Sequence, residues 1–212
     1  MIQIKNFVFN PFYENTYLVF DETKELVIID PGCFSSEEQK ILVQFIDENK
    51  LKPVRLLNTH CHIDHILGNS FISDKYNLKV EAHLADEFLI EGAKSHAMVF
   101  GLKVEEVAPI GNYLNEKDQI QFGNSKLDIV HIPGHSPGGL VFYNKKESFM
   151  IVGDVLFDNS IGRSDLPGGD HNLLINSIKS KLFPLGDEMI VYPGHGPKTS
   201  IGKERISNPF LS

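Results

Sequence analysis

Two cysteines are all that 212 residues carry, too few for a disulfide framework to staple a fold. Cys33 lies beside a turn and Cys61 sits inside a histidine-rich segment, so reduced thiols in a cytoplasm are expected. Basic residues are also short: 20 Lys and Arg stand against 28 Asp and Glu, a formal net charge of −8. That balance excludes a nucleic-acid partner held by broad neutralisation of phosphates. No stretch approaches the roughly 18 uninterrupted apolar residues of a membrane span. The opening Met1-Ile2-Gln3-Ile4-Lys5-Asn6 lacks the basic start and apolar core of a secretory signal. A soluble, cytoplasmic protein with no membrane partner is therefore expected.

What is present is enough for a core: 42% of the residues are hydrophobic and 23% charged, which suits one well-buried domain over residues 1–212. Ile2 to Phe9, Thr16 to Phe20 and Leu26 to Ile29 read as strands of an antiparallel meander, broken at Asn10-Pro11 and Asp21-Glu22-Thr23-Lys24. Ser35-Ser36-Glu37-Glu38-Gln39 offers a capping box for a helix running to about Lys50, with Ile41, Leu42, Phe45 and Ile46 on its apolar face. Val54 to Asn58 is extended, Gly68 to Tyr76 helical, and Lys79 to Ala82 a short strand. Ala85 to about Gly101 reads as mixed helix broken at Gly92 and Gly101, and Val104 to Asn115 as a loop. The β pattern returns at Ile120 to Phe122, Leu127 to Ile132, Leu140 to Asn144 and Phe149 to Val152. A helix over Asn172 to Leu182, a strand over Met189 to Tyr192 and a terminal helix over Ser200 to Asn208 complete the chain. Periodicity alone gives mixed α and β.

The densest chemistry is Thr59-His60-Cys61-His62-Ile63-Asp64-His65, which follows the apolar run at Val54–Leu57. Three imidazoles and a carboxylate in so short a span cannot all be buried without a shared partner, because each would lose its hydrogen bonds to water. A metal supplies that partner. His60 and His62, two apart in an extended segment, project to the same side, while Asp64 and His65 begin a new direction and can face a second ion. Imidazole and carboxylate suit zinc, iron or manganese. Further candidates stand at loops after strands: His135 behind Pro133-Gly134, Asp154 behind Gly153, and His195 between Gly194 and Gly196. Asp30, before Pro31-Gly32, is placed either to accept a hydrogen bond from a ligand imidazole or to cap a turn. Structural or solvated roles are expected for His83, His96, His131 and His171, the last beside Asp170, and Cys61 alternates away from its neighbours.

The series His60-x-His62-x-Asp64-His65, Gly134-His135-Ser136-Pro137-Gly138, Gly153-Asp154 and Gly194-His195-Gly196 resembles the metallo-β-lactamase superfamily of hydrolases, and the likeness extends from Ile29-Asp30-Pro31-Gly32 to the last turn. It implies an αβ/βα four-layer sandwich, two mixed β-sheets flanked by helices. It also implies two divalent cations, zinc first among them: His60, His62 and His135 on one, Asp64, His65 and His195 on the other, and Asp154 bridging. Asp64 and Asp154 are then the catalytic carboxylates. Within the superfamily, the run from Gly153 through Ser160-Ile161-Gly162-Arg163-Ser164-Asp165 resembles the short glyoxalase II-like hydrolases. That implies hydrolysis of a small acyl-thiol such as S-lactoylglutathione, by water that the metals activate, with Arg163 available for a substrate carboxylate. The longer glyoxalase II enzymes carry a helical extension that grips glutathione, whereas 17 residues follow His195 here. They also place a Lys and a Tyr where this chain has Arg163 and Asp165. A broader acyl-thiol substrate is therefore expected. The alternatives are a persulfide dioxygenase with one iron on His60, His135 and Asp154, and hydrolysis of a lactone or phosphoester.

Overall fold

A computed structural model describes residues 1–211. The first half forms a six-stranded sheet in the order β1 (Gln3–Phe9), β2 (Glu14–Phe20), β3 (Glu25–Ile29), β4 (Lys52–Leu57), β5 (Val80–Ala82), β6 (Ile110–Tyr113). The β1–β2–β3 meander is antiparallel and β3 to β6 run parallel. Parallel strands need crossovers, and these are α1 (Ser36–Glu48) between β3 and β4, α2 (Ile63–Ile66) and α3 (Asn69–Tyr76) before β5, and α4 (Glu87–Val99) before β6. Ser35 caps α1 through its side chain, and Glu38 reaches back to the Ser35 N–H, the capping box that the sequence offers.

The second sheet collects β7 (Gln119–Phe122), β8 (Ser125–His131), β9 (Leu140–Asn144), β10 (Phe149–Gly153), β13 (Ile190–Pro193) and β14 (Thr199–Ser200) in the order 14-13-10-9-8-7. A small ribbon of β11 (Leu156–Phe157) and β12 (Ser160–Ile161) follows β10, with α5 (His171–Ser177) and α6 (Ile201–Ser207) outside.

Period-two alternation sets the layers. Val19, Val27, Ile29 and Leu57 point from the first sheet toward Ile120, Leu127, Ile129 and Phe142 of the second. Their neighbours Leu18, Leu26, Ile28 and Leu56 point the other way, onto Leu42 and Ile46 of α1 and Ile72 of α3. In the second sheet Val141, Met150, Val152 and Val191 face outward onto Leu174, Ile178, Leu182 and Ile201. The result is helix, sheet, sheet, helix. Each fully buried Leu, Ile or Phe contributes about 1.5–3 kcal/mol, so the paired sheets form a rigid base for the loops at their rim. Among the described residues no helix is long and apolar enough to cross a membrane.

Two expectations are corrected. Val104 to Asn115 is not wholly loop, because β6 pairs with β5 as an edge strand. Its residues are exposed or half-buried, so no alternation marks it. Gly92 does not break α4, which runs through it; Ile90, Ala93 and Ala97 are buried and hold the helix against the roughly 1 kcal/mol that a mid-helix glycine costs. The helix expected over Asn172 to Leu182 is present, but its second half, Ile178–Leu182, widens into a π turn.

Candidate metal centre

Four strand ends meet at one edge of the sandwich. β4 ends at Leu57 and feeds the histidine segment; β8, β10 and β13 end at His131, Gly153 and Pro193, just before His135, Asp154 and His195. His62 is extended and precedes the first turn of α2, so His60 and His62 project from an extended arm while Asp64 and His65 project from a helical turn. This change of direction splits one short motif between two sets of neighbours.

The structure brings all seven of the predicted histidines and aspartates together. Ring nitrogens of His60, His62 and His135 lie within 4.8 Å of one another, as do ligand atoms of Asp64, His65 and His195. His62 Nδ1 stands 2.9 Å from His135 Nε2, which is 3.1 Å from His60 Nε2. His195 Nε2 is 3.0 Å from Asp64 Oδ2. Asp154 lies between the sets, with Oδ1 3.4 Å from His65 Nε2 and Oδ2 3.7 and 3.6 Å from His135 and His195 Nε2.

The far side of each ring decides its tautomer. His135 Nδ1 lies 2.7 Å from the Arg163 carbonyl and His195 Nδ1 3.1 Å from that of Phe12, so both must donate. His65 Nδ1 donates to Asp30 Oδ2 at 3.1 Å. Thr59 Oγ1 spends its hydrogen on Asp30 Oδ2 at 2.6 Å and so accepts from His60 Nδ1 at 3.1 Å. In their neutral rings, four Nε2 lone pairs therefore face inward. Buried His65 Nε2, His62 Nε2 and Asp154 Oδ1 have no hydrogen-bond partner. Buried lone pairs facing one another call for a cation, and the donor set fits one.

Electrostatics divide the two sets. Burial, then the neighbouring imidazoles, push His60 well below the usual histidine range and His62 down to about 3. Burial pulls on His65 and His195 as well, but Asp64 and Asp154 outweigh it and raise both. Those imidazoles in turn overcome the burial of Asp64 and Asp154 and hold both carboxyls below the usual range.

Close approach explains two glycines. Gly153 has φ 53°, and a Cβ there would lie 2.2 Å from Thr59 Oγ1; one on Gly194 would lie 2.2 Å from Asp154 Oδ1.

The sequence pattern of the metallo-beta-lactamase superfamily matches residues 9–195. The chain belongs to that superfamily. It is 37% identical to hydroxyacylglutathione hydrolase GloC of Haemophilus influenzae, over 95% of this chain and 94% of that one. Among solved structures it is similar to the B3 metallo-beta-lactamase BLEG-1, with a TM-score of 0.90 and 35% identity over 99% of this chain and 100% of that one. It is also similar to TTHA1623 in a di-iron-bound form, with a TM-score of 0.87 and 37% identity over 98% of this chain and 100% of that one. As a superfamily member of this kind, the protein is a metallo-hydrolase whose His and Asp cluster suits divalent metal ions.

Several residues that support this metallo-hydrolase site carry no signal in the sequence. Asp86 is fully buried and accepts from the Cys61 N–H at 3.0 Å, Ser136 Oγ at 3.1 Å and the Gly138 N–H at 2.6 Å. It thereby ties the loop carrying His60 and His62 to the loop carrying His135. Burial raises its carboxyl although these three donors oppose the rise. Asn15 donates to the carbonyls of Pro193 and Gly196, both at 2.9 Å, and clasps the His195 loop. Buried Glu14 lies beneath the cluster near Asp30 and His65, and burial raises its carboxyl well above the usual range. Between the two readings open for Asp30, the geometry selects the acceptor: it takes the Thr59 N–H at 2.7 Å besides Thr59 Oγ1 and His65 Nδ1.

The remaining histidines divide. His83 and His131 stack at 4.3 Å, and His131 faces the Pro137 carbonyl, as structural roles require. Asp170 caps α5 through the Leu173 N–H, while the His171 ring faces Ser164. His96, half-buried, lines with Phe12, Ile63, Phe100, Arg163 and Leu166 a pocket of about 270 Å³ that opens onto His62, Asp64, His135, Asp154 and His195. Sequence spacing offers no sign of this, because His96 and Phe100 are one helical turn apart on α4 and its C-terminal cap, far in sequence from every other lining residue.

Proposed function

We propose that this chain, acting as one domain in the cytoplasm, is a dinuclear-metal thioester hydrolase of the glyoxalase II type. The observation that carries the reading is the set of four inward Nε2 lone pairs, fixed by Asp30, Thr59 and two backbone carbonyls, with Asp154 between them. His60, His62 and His135 would hold one cation and Asp64, His65 and His195 a second, with Asp154 within reach of both sets. Bound there, zinc or iron activates water near neutral pH and polarises an acyl carbonyl. The iron of TTHA1623 and the hydrolase name of GloC support the metal and the substrate class.

The protein's own part is to position and to exclude. Among the described residues the pocket lining has no Ser, Thr or Cys, and this reading gives the attack to water rather than to a hydroxyl or thiol of the protein. Asp64 and Asp154 both face the pocket, and their imidazole neighbours keep them ionised, so both present acceptor oxygens that can orient a bound cation and the hydrogens of an attacking water. Phe12, Ile63 and Leu166 screen the reacting carbonyl from bulk solvent. Free, buried Cys33 and Cys61 are in keeping with a reducing compartment.

The test pairs elemental analysis with an anaerobic assay on S-lactoylglutathione. About two metals per chain and oxygen-independent loss of the thioester are expected. One iron per chain with oxygen uptake on a persulfide, or turnover of a β-lactam alone, would move the protein to another branch of the superfamily.

A further inference from the structure

The wall above the ligand cluster is apolar and rigidly attached to it. Phe12 meets Phe100 edge to face, with centroids 5.1 Å apart, and Phe100 lies 5.3 Å from His96. The Phe12 N–H donates to Asn10 Oδ1 at 3.0 Å, and the same carboxamide donates to the carbonyls of Gly32 and Asp64 at 3.1 and 2.9 Å. Since the Phe12 carbonyl also takes His195 Nδ1, one short loop sets both the aromatic wall and two of the ligand residues. Phe100 remains 50% exposed at the mouth, and Ile63 and Leu166 extend the apolar lining. A ligand that covers Phe100 recovers the apolar area it leaves in water.

The charged side of the pocket is self-contained. Arg163 is the one Lys or Arg among the lining residues. Its Nε and Nη2 donate to the two oxygens of Asp165, both at 2.8 Å. With side chains 62% and 69% exposed, this pair contributes little to stability. Its effect is on recognition: Asp165 takes the Nε and Nη2 edge and neutralises the pair, so a substrate carboxylate is left the remaining Nη1 and Nη2 hydrogens and must share the guanidinium with a carboxylate already in place.

On the thioester-hydrolase reading, we infer that Phe12 and Phe100 receive an apolar group of the substrate while Asp165 withholds Arg163 from carboxylates, so that the pocket selects uncharged, apolar thioesters over those of anionic thiols. Phe12, Phe100 and Asp165 are specificity-determining residues, and of the three only Phe12 also belongs to the wall that screens the reacting carbonyl.

Calorimetric titration of the metal-loaded full chain with two uncleavable thioethers tests this: S-hexyl-N-acetylcysteamine, which is uncharged, and S-hexylglutathione, which carries carboxylates. The uncharged probe is expected to bind about 10-fold tighter. Phe12→Ala and Phe100→Ala should each weaken both probes about 5-fold, and Phe100→Leu should restore most of the loss. Asp165→Asn should tighten S-hexylglutathione about 5-fold and leave the uncharged probe unchanged. Metal content shows whether each variant has kept its fold. Equal or tighter binding of S-hexylglutathione to the unaltered protein, indifference of that probe to Asp165→Asn, or no binding of the uncharged probe overturns the inference. Neither probe is cleaved, so these outcomes stand apart from the thioesterase reading, which fails instead if both probes bind and neither S-lactoylglutathione nor S-hexanoyl-N-acetylcysteamine is turned over.

Discussion

His60 Nε2 and His135 Nε2 stand 3.1 Å apart, and neither ring has a hydrogen to offer, since His60 Nδ1–H goes to Thr59 and His135 Nδ1–H to the Arg163 carbonyl. Stripping the metal therefore leaves facing lone pairs in a buried site, and chelation should destabilise the protein. A cation bound at about 1,000 times its dissociation constant adds about 4 kcal/mol, which for a chain of this length is roughly 8–16 °C in Tm. Calorimetric scans before and after chelation, with recovery on adding zinc back, check this; an unchanged Tm would sink the metal assignment.

Asp154 is placed against both histidine sets, within 3.4–3.7 Å of His65, His135 and His195. Asp154→Ala should abolish turnover and lower the metal content below two per chain. Unchanged stoichiometry with unchanged turnover would show that Asp154 bridges nothing.

Asp30 has φ 49°, a conformation that Asn adopts readily, so Asp30→Asn preserves the backbone and alters only the acceptor. It accepts from the Thr59 N–H, Thr59 Oγ1 and His65 Nδ1. Thr59 Oγ1 and His65 Nδ1 share Oδ2, so its loss frees the His65 tautomer directly and the His60 tautomer only through Thr59, and affinity should fall about 10–100-fold for the second cation and less for the first. Competitive titration with a chromophoric chelator resolves the two; equal loss of both would mean that Asp30 supports the loop rather than the ring.

The cluster was legible because residue types that suit a metal stand within a few positions of one another, as in His60, His62, Asp64 and His65, and the fold brings them together. The strands of both sheets were legible from apolar runs such as Leu26–Ile29 and Phe149–Val152. Asp86 and Asn15 were not, because a buried carboxylate and a buried carboxamide look like surface residues until the fold brings Gly138 and Pro193 to them. Edge strand β6 was missed for a related reason: with neither face buried, it carries no pattern to read.

Asp86 gives a test of that hidden support. Removing its carboxylate leaves the Cys61 and Gly138 N–H groups and Ser136 Oγ without a buried acceptor. Each such loss costs about 1–3 kcal/mol, so Asp86→Ala should lower denaturant stability by at least about 3 kcal/mol and loosen the His135 side of the site. Asp86→Asn keeps an acceptor and should cost less. Equal stability of Asp86→Ala and the unaltered protein would show that water replaces all three bonds.

The opposite shifts of the two histidine sets predict opposite proton bookkeeping on metal uptake. His60 and His62 lie below the usual value of 6.5, so both are neutral in the folded, metal-free protein at pH 7 and have no proton to lose. His65 and His195 lie above 6.5, so between that value and their raised pKa they are protonated and must give the proton up. The stability these two protonated rings provide to the metal-free fold is fully present below pH 6.5 and is lost as the pH rises through their folded pKa. Titration calorimetry in buffers of different ionisation enthalpy should therefore show, just above pH 6.5, the cation at the Asp64, His65 and His195 set displacing protons from His65 and His195, and the cation at the other set displacing essentially none from His60 and His62. Raising the pH should diminish the first release without creating the second. Equal release from both sets would mean that the carboxylates do not divide the site as their positions require.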